Sequence, residues 1–309
     1  MPFRVFHFGF KIGLWLCAIA SALVLIGILY IWYSVSSFDT DTLPARYGQV
    51  DTQLYAAPGA AARPLIVGLG GAEGGNSWTR NHWKAQRERF QSQGYAFLAI
   101  GYFGLPNTPE HLDRIALEGV TAAINKARTD PRVAGDCTIL LGGSKGAELA
   151  LTLAAHDPSI DAVIALAPAD TVFPAHTEAM TTSSWALNGK QLPFAPMPWA
   201  ATLDLLRGNI GAVMERILAQ DEAQAAAIPV ERIAGPILLL AADQDEMWPA
   251  LRMSRRMQER LNSANFTHPH ELVTVAGNHI EVTRHMPRVE EFLAQFVASR
   301  AGCTPQSEE

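Results

Sequence analysis

The chain has 309 residues, 49% of them hydrophobic and 17% charged, against about a quarter charged in an average domain. That is length enough for one large domain or two small ones around a sizeable core, and it excludes a disordered chain. A net charge of -6 and a pI near 5.9 supply no cationic field for a phosphate backbone, and the cysteines Cys17, Cys137 and Cys303 show neither a CxxC pair nor zinc-ligand spacing. Nucleic-acid binding, a cysteine metal site and a disulfide-rich scaffold are therefore all excluded.

The first element, residues 12–35, carries no charged residue and is mostly Leu, Ile, Ala, Val and Trp. As a helix it is long enough to cross a bilayer core. A cleaved signal peptide is the rival, since Ser34-Val35-Ser36 is a tolerable cleavage site, but a signal's apolar region is usually only about 7–15 residues. Arg4 and Lys11 precede the span and Asp39 and Asp41 follow it, so the positive-inside rule keeps the N-terminus in the cytoplasm and sends the rest outside. Tyr30, Trp32 and Tyr33 fall where an aromatic belt would meet the outer interface.

Residues 37–62 read as a tether with an edge strand near 50–55. From residue 63 onward, apolar runs at 65–69, 96–101, 138–141, 162–166, 237–241 and 271–275 alternate with amphipathic stretches at 83–93, 113–129, 148–156, 251–264 and 289–300. Such alternation predicts an α/β domain, a mostly parallel sheet with helices on both faces. It fails over about 171–232, where Pro, Trp and Met gather; this stretch reads as an insertion over one end of the sheet. Residues 301–309 read as a polar tail.

Chemistry concentrates after the run at 138–141, where Gly142-Gly143-Ser144-Lys145-Gly146 leads into a helical stretch. This is G-x-S-x-G between strand and helix. The serine sits on a sharp strained turn, and glycines two residues either side let strand and helix approach. A nucleophile on this turn needs an acid and then a base downstream. Ala242-Asp243-Gln244-Asp245 follows a predicted strand end, so Asp243 or Asp245 suits the acid, and His279 in Ala276-Gly277-Asn278-His279 suits the base. His82, His111, His156, His176 and His285 read as ordinary satisfied histidines, and His268 and His270 precede the last strand, away from that end. The loop Leu69-Gly70-Gly71-Ala72-Glu73-Gly74-Gly75 suits an oxyanion hole, with Gly71 or Ala72 donating beside the N–H of Lys145. A phosphate-cradling use is disfavoured, because no GK[ST] follows.

These motifs carry a resemblance. Residues from about 63 to 300 resemble the C-terminal catalytic domain shared by acyl-CoA thioesterases and bile acid-CoA:amino acid N-acyltransferase, within the α/β-hydrolase superfamily. The matching stretches are LGGAEGG, AIGYFGLPNTPEHLDRIALEGV, LLGGSKGAELAL, AAIPVERIAGPILLLAADQDEMWPALRMSRRMQERL and AGNHIEV. The resemblance implies an α/β-hydrolase fold with a lid, preceded here by one transmembrane helix. It also implies hydrolysis of acyl thioesters or esters with no metal and no cofactor. Aligned on the tryptophan of the acid loop, the family aspartate falls on Asp245, and Tyr102, Phe103, Trp199 and Trp248 become the candidate substrate contacts.

Two departures stand out. Eukaryotic members resembling this domain carry an N-terminal β-sandwich, for which the roughly 25 residues of the tether are too few. The N-acyltransferase member uses cysteine where this chain has Ser144, which favours hydrolysis over transfer to an amino acid. The bilayer is the expected partner of residues 12–35, the domains being 1–36 anchor or signal, 37–62 tether, and 63–300 catalytic domain. An extracytoplasmic domain would lie apart from cytosolic acyl-CoA, and it would allow Cys137 and Cys303 to pair; the oligomeric state is not encoded in any motif.

Overall fold

The computed structural model describes residues 2–57, 62–298 and 300–305, with side chains from Gly13 onward. Part of the expected tether, 58–61, and the last four residues of the expected tail lie outside the described residues. Helix α1, Pro2–Ser37, is apolar enough over Gly13–Ser37 to be a candidate membrane span or signal sequence. Its residues 13–30 are exposed, and only at Ile31, Ser34 and Val35 does the domain begin to cover one face.

The domain is built on a seven-stranded sheet in the order β1-β3-β2-β5-β6-β9-β10. Its strands are β1 (Asp51–Tyr55), β2 (Arg63–Leu69), β3 (Ala96–Gly101), β5 (Val133–Gly143), β6 (Ala162–Leu166), β9 (Ile237–Ala242) and β10 (His270–Val275). All pairings are parallel except that of edge strand β1 with β3. The central strands are apolar without alternation because both faces are covered. Leu65, Val67, Leu140 and Val163 pack beneath α3 (Leu117–Arg128), α4 (Lys145–His156) and α8 (Ala250–Ser263). Ile66, Phe97, Ile139 and Leu238 pack beneath α2 (Lys84–Ser92) and α9 (Met286–Phe292). The mostly parallel α/β expectation, with an insertion interrupting it, describes this architecture.

The insertion holds two strands, β7 (Trp185–Leu187) and β8 (Lys190–Gln191), and three short helices, α5 (Thr202–Leu206), α6 (Ile210–Leu218) and α7 (Glu222–Ala225). Its core joins Phe173, Val213 and Ile217 to Trp248 and Met253 of the main domain. The helix expected from residue 113 starts later, at Leu117, because Ile115 and Ala116 form β4 and pair with β7. Tertiary pairing overrides the local helical pattern there. Just before it, Arg114 adopts a positive φ of 43°, an uncommon conformation for a residue with a side chain.

The segment after α1 is no loose tether. The buried guanidinium of Arg114 donates to the Thr40 carbonyl at 2.7 Å and to Asp39 O at 3.4 Å while paired with Asp113. Tyr47 donates its hydroxyl to Glu118 at 2.7 Å and accepts from the Gly189 N–H. At the other terminus Cys303 is buried and forms a disulfide with Cys137 of β5, 166 residues away, so residues before the last four are stapled to the core rather than trailing from it.

Candidate functional site

The site gathers at the C-terminal edge of the sheet, where β5, β9 and β10 each end in a short loop. Ser144 joins β5 to α4 with φ 55° and ψ -120°, a strained geometry for a residue with a Cβ. The flanking glycines make the turn possible. A Cβ on Gly142 would lie 2.0 Å from the Gly146 carbonyl, and one on Gly146 would lie 2.4 Å from the Leu69 and Gly70 carbonyls. Ser144 donates its own N–H to Leu166 O at 2.8 Å, which locks the turn to the neighbouring strand.

Three side chains from three strand ends converge. His279 Nε2 lies 2.9 Å from Ser144 Oγ, and His279 Nδ1 lies 2.8 and 2.9 Å from the two Asp245 carboxylate oxygens. The Asp245 carboxylate is almost wholly buried and also accepts from the N–H groups of Met247 and Trp248, which hold it against the imidazole. Trp248 closes the far side, its ring edge-on to His279 at 5.5 Å. Glu246 accepts from the His279 backbone N–H at 2.9 Å, a bond that pulls its carboxyl below the usual range. Asp243, the alternative acid, bonds instead to the Gly277 N–H at 3.0 Å and so braces the histidine loop.

A cleft of about 610 Å³ opens over Ser144, walled by the 70–73 loop, His279 and Ile280. Lys145 begins α4, so its N–H is among those a helix start leaves without an intrahelical acceptor. The Lys145 side chain points away into the protein, where Nζ meets Glu148 at 2.6 Å and Ser184 Oγ at 2.8 Å. Burial draws its ammonium below the ordinary lysine range, against the pull of the Glu148 charge. The expected donor Gly71 is engaged: its N–H bonds to Glu73 Oε1 at 3.2 Å. Ala72 stands exposed beside it.

Of the four expected substrate contacts, none lines this cleft. Tyr102 is buried beneath the glycine loop and donates to the Gly70 carbonyl, and Phe103 packs under Gly74. Both support the loop because the strand end carrying them turns inward. Trp248 braces His279, and Trp199 faces a separate groove beside α1. The cleft is lined instead by Trp78, Arg80, His82, Trp83, Met247 and Ile280, among others. Glu73 carried the clearest sequence signal, as the one charged residue in its glycine loop. A larger groove of about 890 Å³ shares no wall with the Ser144 cleft, and both of its arginines are paired within it, Arg256 with Asp170 and Arg260 with Glu231.

Comparison with known proteins places this geometry in context. Residues 115–300 match the family described as "BAAT / Acyl-CoA thioester hydrolase C terminal". The chain is 28% identical over 215 residues to acyl-coenzyme A amino acid N-acyltransferase 1 of Mus musculus, covering 69% of this chain and 47% of that protein. It is 26% identical over 243 residues to acyl-coenzyme A thioesterase 5 of the same species, covering 77% and 54%. The chain thus spans about half the length of these curated relatives. Among solved structures, a puromycin-hydrolyzing peptidase of Mycobacterium tuberculosis superposes with a TM-score of 0.57 at 16% identity, over 80% of this chain and 37% of that one, a likeness of fold.

Proposed function

The chain belongs to the BAAT / acyl-CoA thioester hydrolase C-terminal family, and from that premise we propose that it is a serine hydrolase cleaving acyl thioesters through an acyl-enzyme. The observation that supports this reading is the unbroken chain of hydrogen bonds from Asp245 through His279 to Ser144. A serine hydroxyl is a weak nucleophile alone, and an imidazole at 2.9 Å is placed to take its proton. Ser144 Oγ adds to the thioester carbonyl as its proton passes to His279 Nε2. Asp245, holding Nδ1–H, fixes the tautomer and stabilises the imidazolium. The oxyanion is held by the Lys145 N–H and a donor of the 70–72 loop. Collapse expels the thiolate, which takes the proton from Nε2. Water then adds to the acyl-serine with His279 again as base, releasing the acid and restoring Ser144.

The names of the relatives point to acyl-CoA as the thioester. A second reading has a specific observation behind it. The Cys137–Cys303 disulfide suits an oxidising compartment, as does a domain carried outside by α1, and there an oxygen ester drawn from the membrane is the accessible substrate. The test uses the full chain in detergent beside Ser144→Ala, comparing thiol release from short-, medium- and long-chain acyl-CoA with hydrolysis of matching oxygen esters. Serine-dependent preference for acyl-CoA supports the thioesterase reading. Ester cleavage with acyl-CoA untouched supports the second, and no serine-dependent turnover of either, with no labelling by a fluorophosphonate, defeats both.

A further inference from the structure

We propose that the insertion is a membrane-docking surface: the face of Trp199, Leu203 and Leu206 lies in the headgroup–acyl boundary of the bilayer beside α1. These residues are 60%, 55% and 70% exposed, and their spacing of four and three puts them on one side of the turn leading into α5. Exposed large apolar side chains clustered this way mark an interaction surface. The proposal rests on reading α1 as a membrane span.

Three observations commit the face to lipid. Between it and α1 runs a groove of about 310 Å³, walled by Ile31 and Val35 on one side and Met197, Trp199, Leu205 and Leu206 on the other. The apolar face is therefore continuous with the helix that must itself be lipid-clad. Depth agrees: the uncharged stretch 12–35 is about 36 Å long as a helix, some 6 Å more than the hydrocarbon core. Its last turn, where Ile31, Ser34 and Val35 meet the domain, falls at the headgroup level, with Tyr30, Trp32 and Tyr33 exposed around it as interfacial anchors. Arg207, exposed at the end of α5, suits an anionic headgroup.

Orientation is also held. Arg114 grips the backbone of Asp39 and Thr40 immediately after α1, and Tyr30 donates its hydroxyl to Glu178 of the insertion at 3.3 Å. The domain is thus clamped to the end of the helix and presents one face to the membrane, instead of swinging on a linker. An apolar face of this kind partitions into the boundary region to a depth of about 5–10 Å.

The test uses the full chain with Cys17→Ser, reconstituted without reductant into vesicles of phosphatidylcholine and phosphatidylglycerol. An environment-sensitive fluorophore is attached through Leu206→Cys or, as control, through Glu259→Cys on the exposed face of α8. Nitroxide lipids spin-labelled near the headgroup should remove most of the Leu206 signal and leave the Glu259 signal unchanged. Adding Leu203→Glu should restore the Leu206 signal, which assigns the effect to the protein face and not to the dye. Retention of the chain on vesicles after alkaline carbonate reports on α1 separately. A retained chain whose Leu206 label is unquenched overturns the docking surface while α1 stands. Release of the chain overturns both, and an unquenched label shielded in a cross-linkable dimer gives the face to a second copy and overturns the proposal.

Discussion

Glu73 places a carboxylate oxygen 3.2 Å from the backbone nitrogen of Gly71, one of the two N–H groups of this loop proposed to hold an oxyanion. A Cβ at Gly71 would lie 2.7 Å from the other Glu73 oxygen and 3.4 Å from the Cβ of Ser144, so the carboxylate sits beside the candidate nucleophile.

An acyl carbonyl using this donor must first displace Glu73. A hydrogen bond to a charged group is worth about 1.5–3 kcal/mol, and less here because Glu73 is exposed to water. Glu73→Gln keeps the side chain's length and removes its charge, so Ser144-dependent kcat/KM for a neutral ester such as p-nitrophenyl butyrate should rise several-fold. A fall would mean instead that the carboxylate holds the glycine loop in its working shape.

The two aspartates of the acid loop separate cleanly by substitution. Asp245→Asn removes the carboxylate charge and puts an NH₂ donor where one of the two oxygens facing His279 Nδ1 stood; if Asp245 sets the tautomer, the amide favours the wrong one and kcat should fall by roughly 10³–10⁴, with little change in KM. Asp243→Asn, at a side chain that accepts from the Gly277 N–H, should keep kcat within a few-fold and cost about 1 kcal/mol of stability. Equal losses of kcat in the two variants would sink the assignment to Asp245.

Strand positions and the Ser144 turn were legible in the sequence because both rest on local pattern: unbroken apolar runs for doubly covered strands, and glycines at 142 and 146 where no Cβ fits. The side chains that surround Ser144 and His279 in the cleft, such as Trp78, Arg80, Trp83, Met247 and Ile280, were not. Whether Tyr102 faces a substrate or the underside of the glycine loop depends on which way the chain turns after β3, and no spacing reports that. The insertion resisted for a related reason. Its strand β7 pairs with Ile115 and Ala116, about 70 residues earlier, and that contact converts the start of an expected helix into β4. The hold of Arg114 on the segment after α1 had no local signal either, since the acceptors there are the carbonyls of Asp39 and Thr40, over 70 residues earlier.

The Cys137–Cys303 disulfide closes a separation of 166 residues, a long loop whose closure restricts the unfolded chain. Removing it should cost about 2–4 kcal/mol. Cys137→Ala with Cys303→Ala should lower the Tm by several degrees, and reductant should lower the Tm of the unaltered chain but not that of the double variant. Three titratable thiols on the denatured, unreduced chain, where the bond predicts only that of Cys17, would show the bond absent.

Beneath Ser144, the Lys145–Glu148 ion pair ties the start of α4 to the insertion. Glu148 also accepts from the Phe173 N–H at 3.0 Å and from the Trp185 indole at 2.8 Å, while Lys145 reaches Ser184. Both charged side chains are buried, so each partner offsets the other's desolvation. Lys145→Met strands the Glu148 carboxylate and should cost about 3–5 kcal/mol. Lys145→Met combined with Glu148→Gln leaves a neutral acceptor for Phe173 and Trp185 and should recover more than half of that loss. Calorimetric unfolding of the two variants measures the difference. If the double variant is as unstable as the single one, the pair acts through its packing volume, and the stranded charge contributes little.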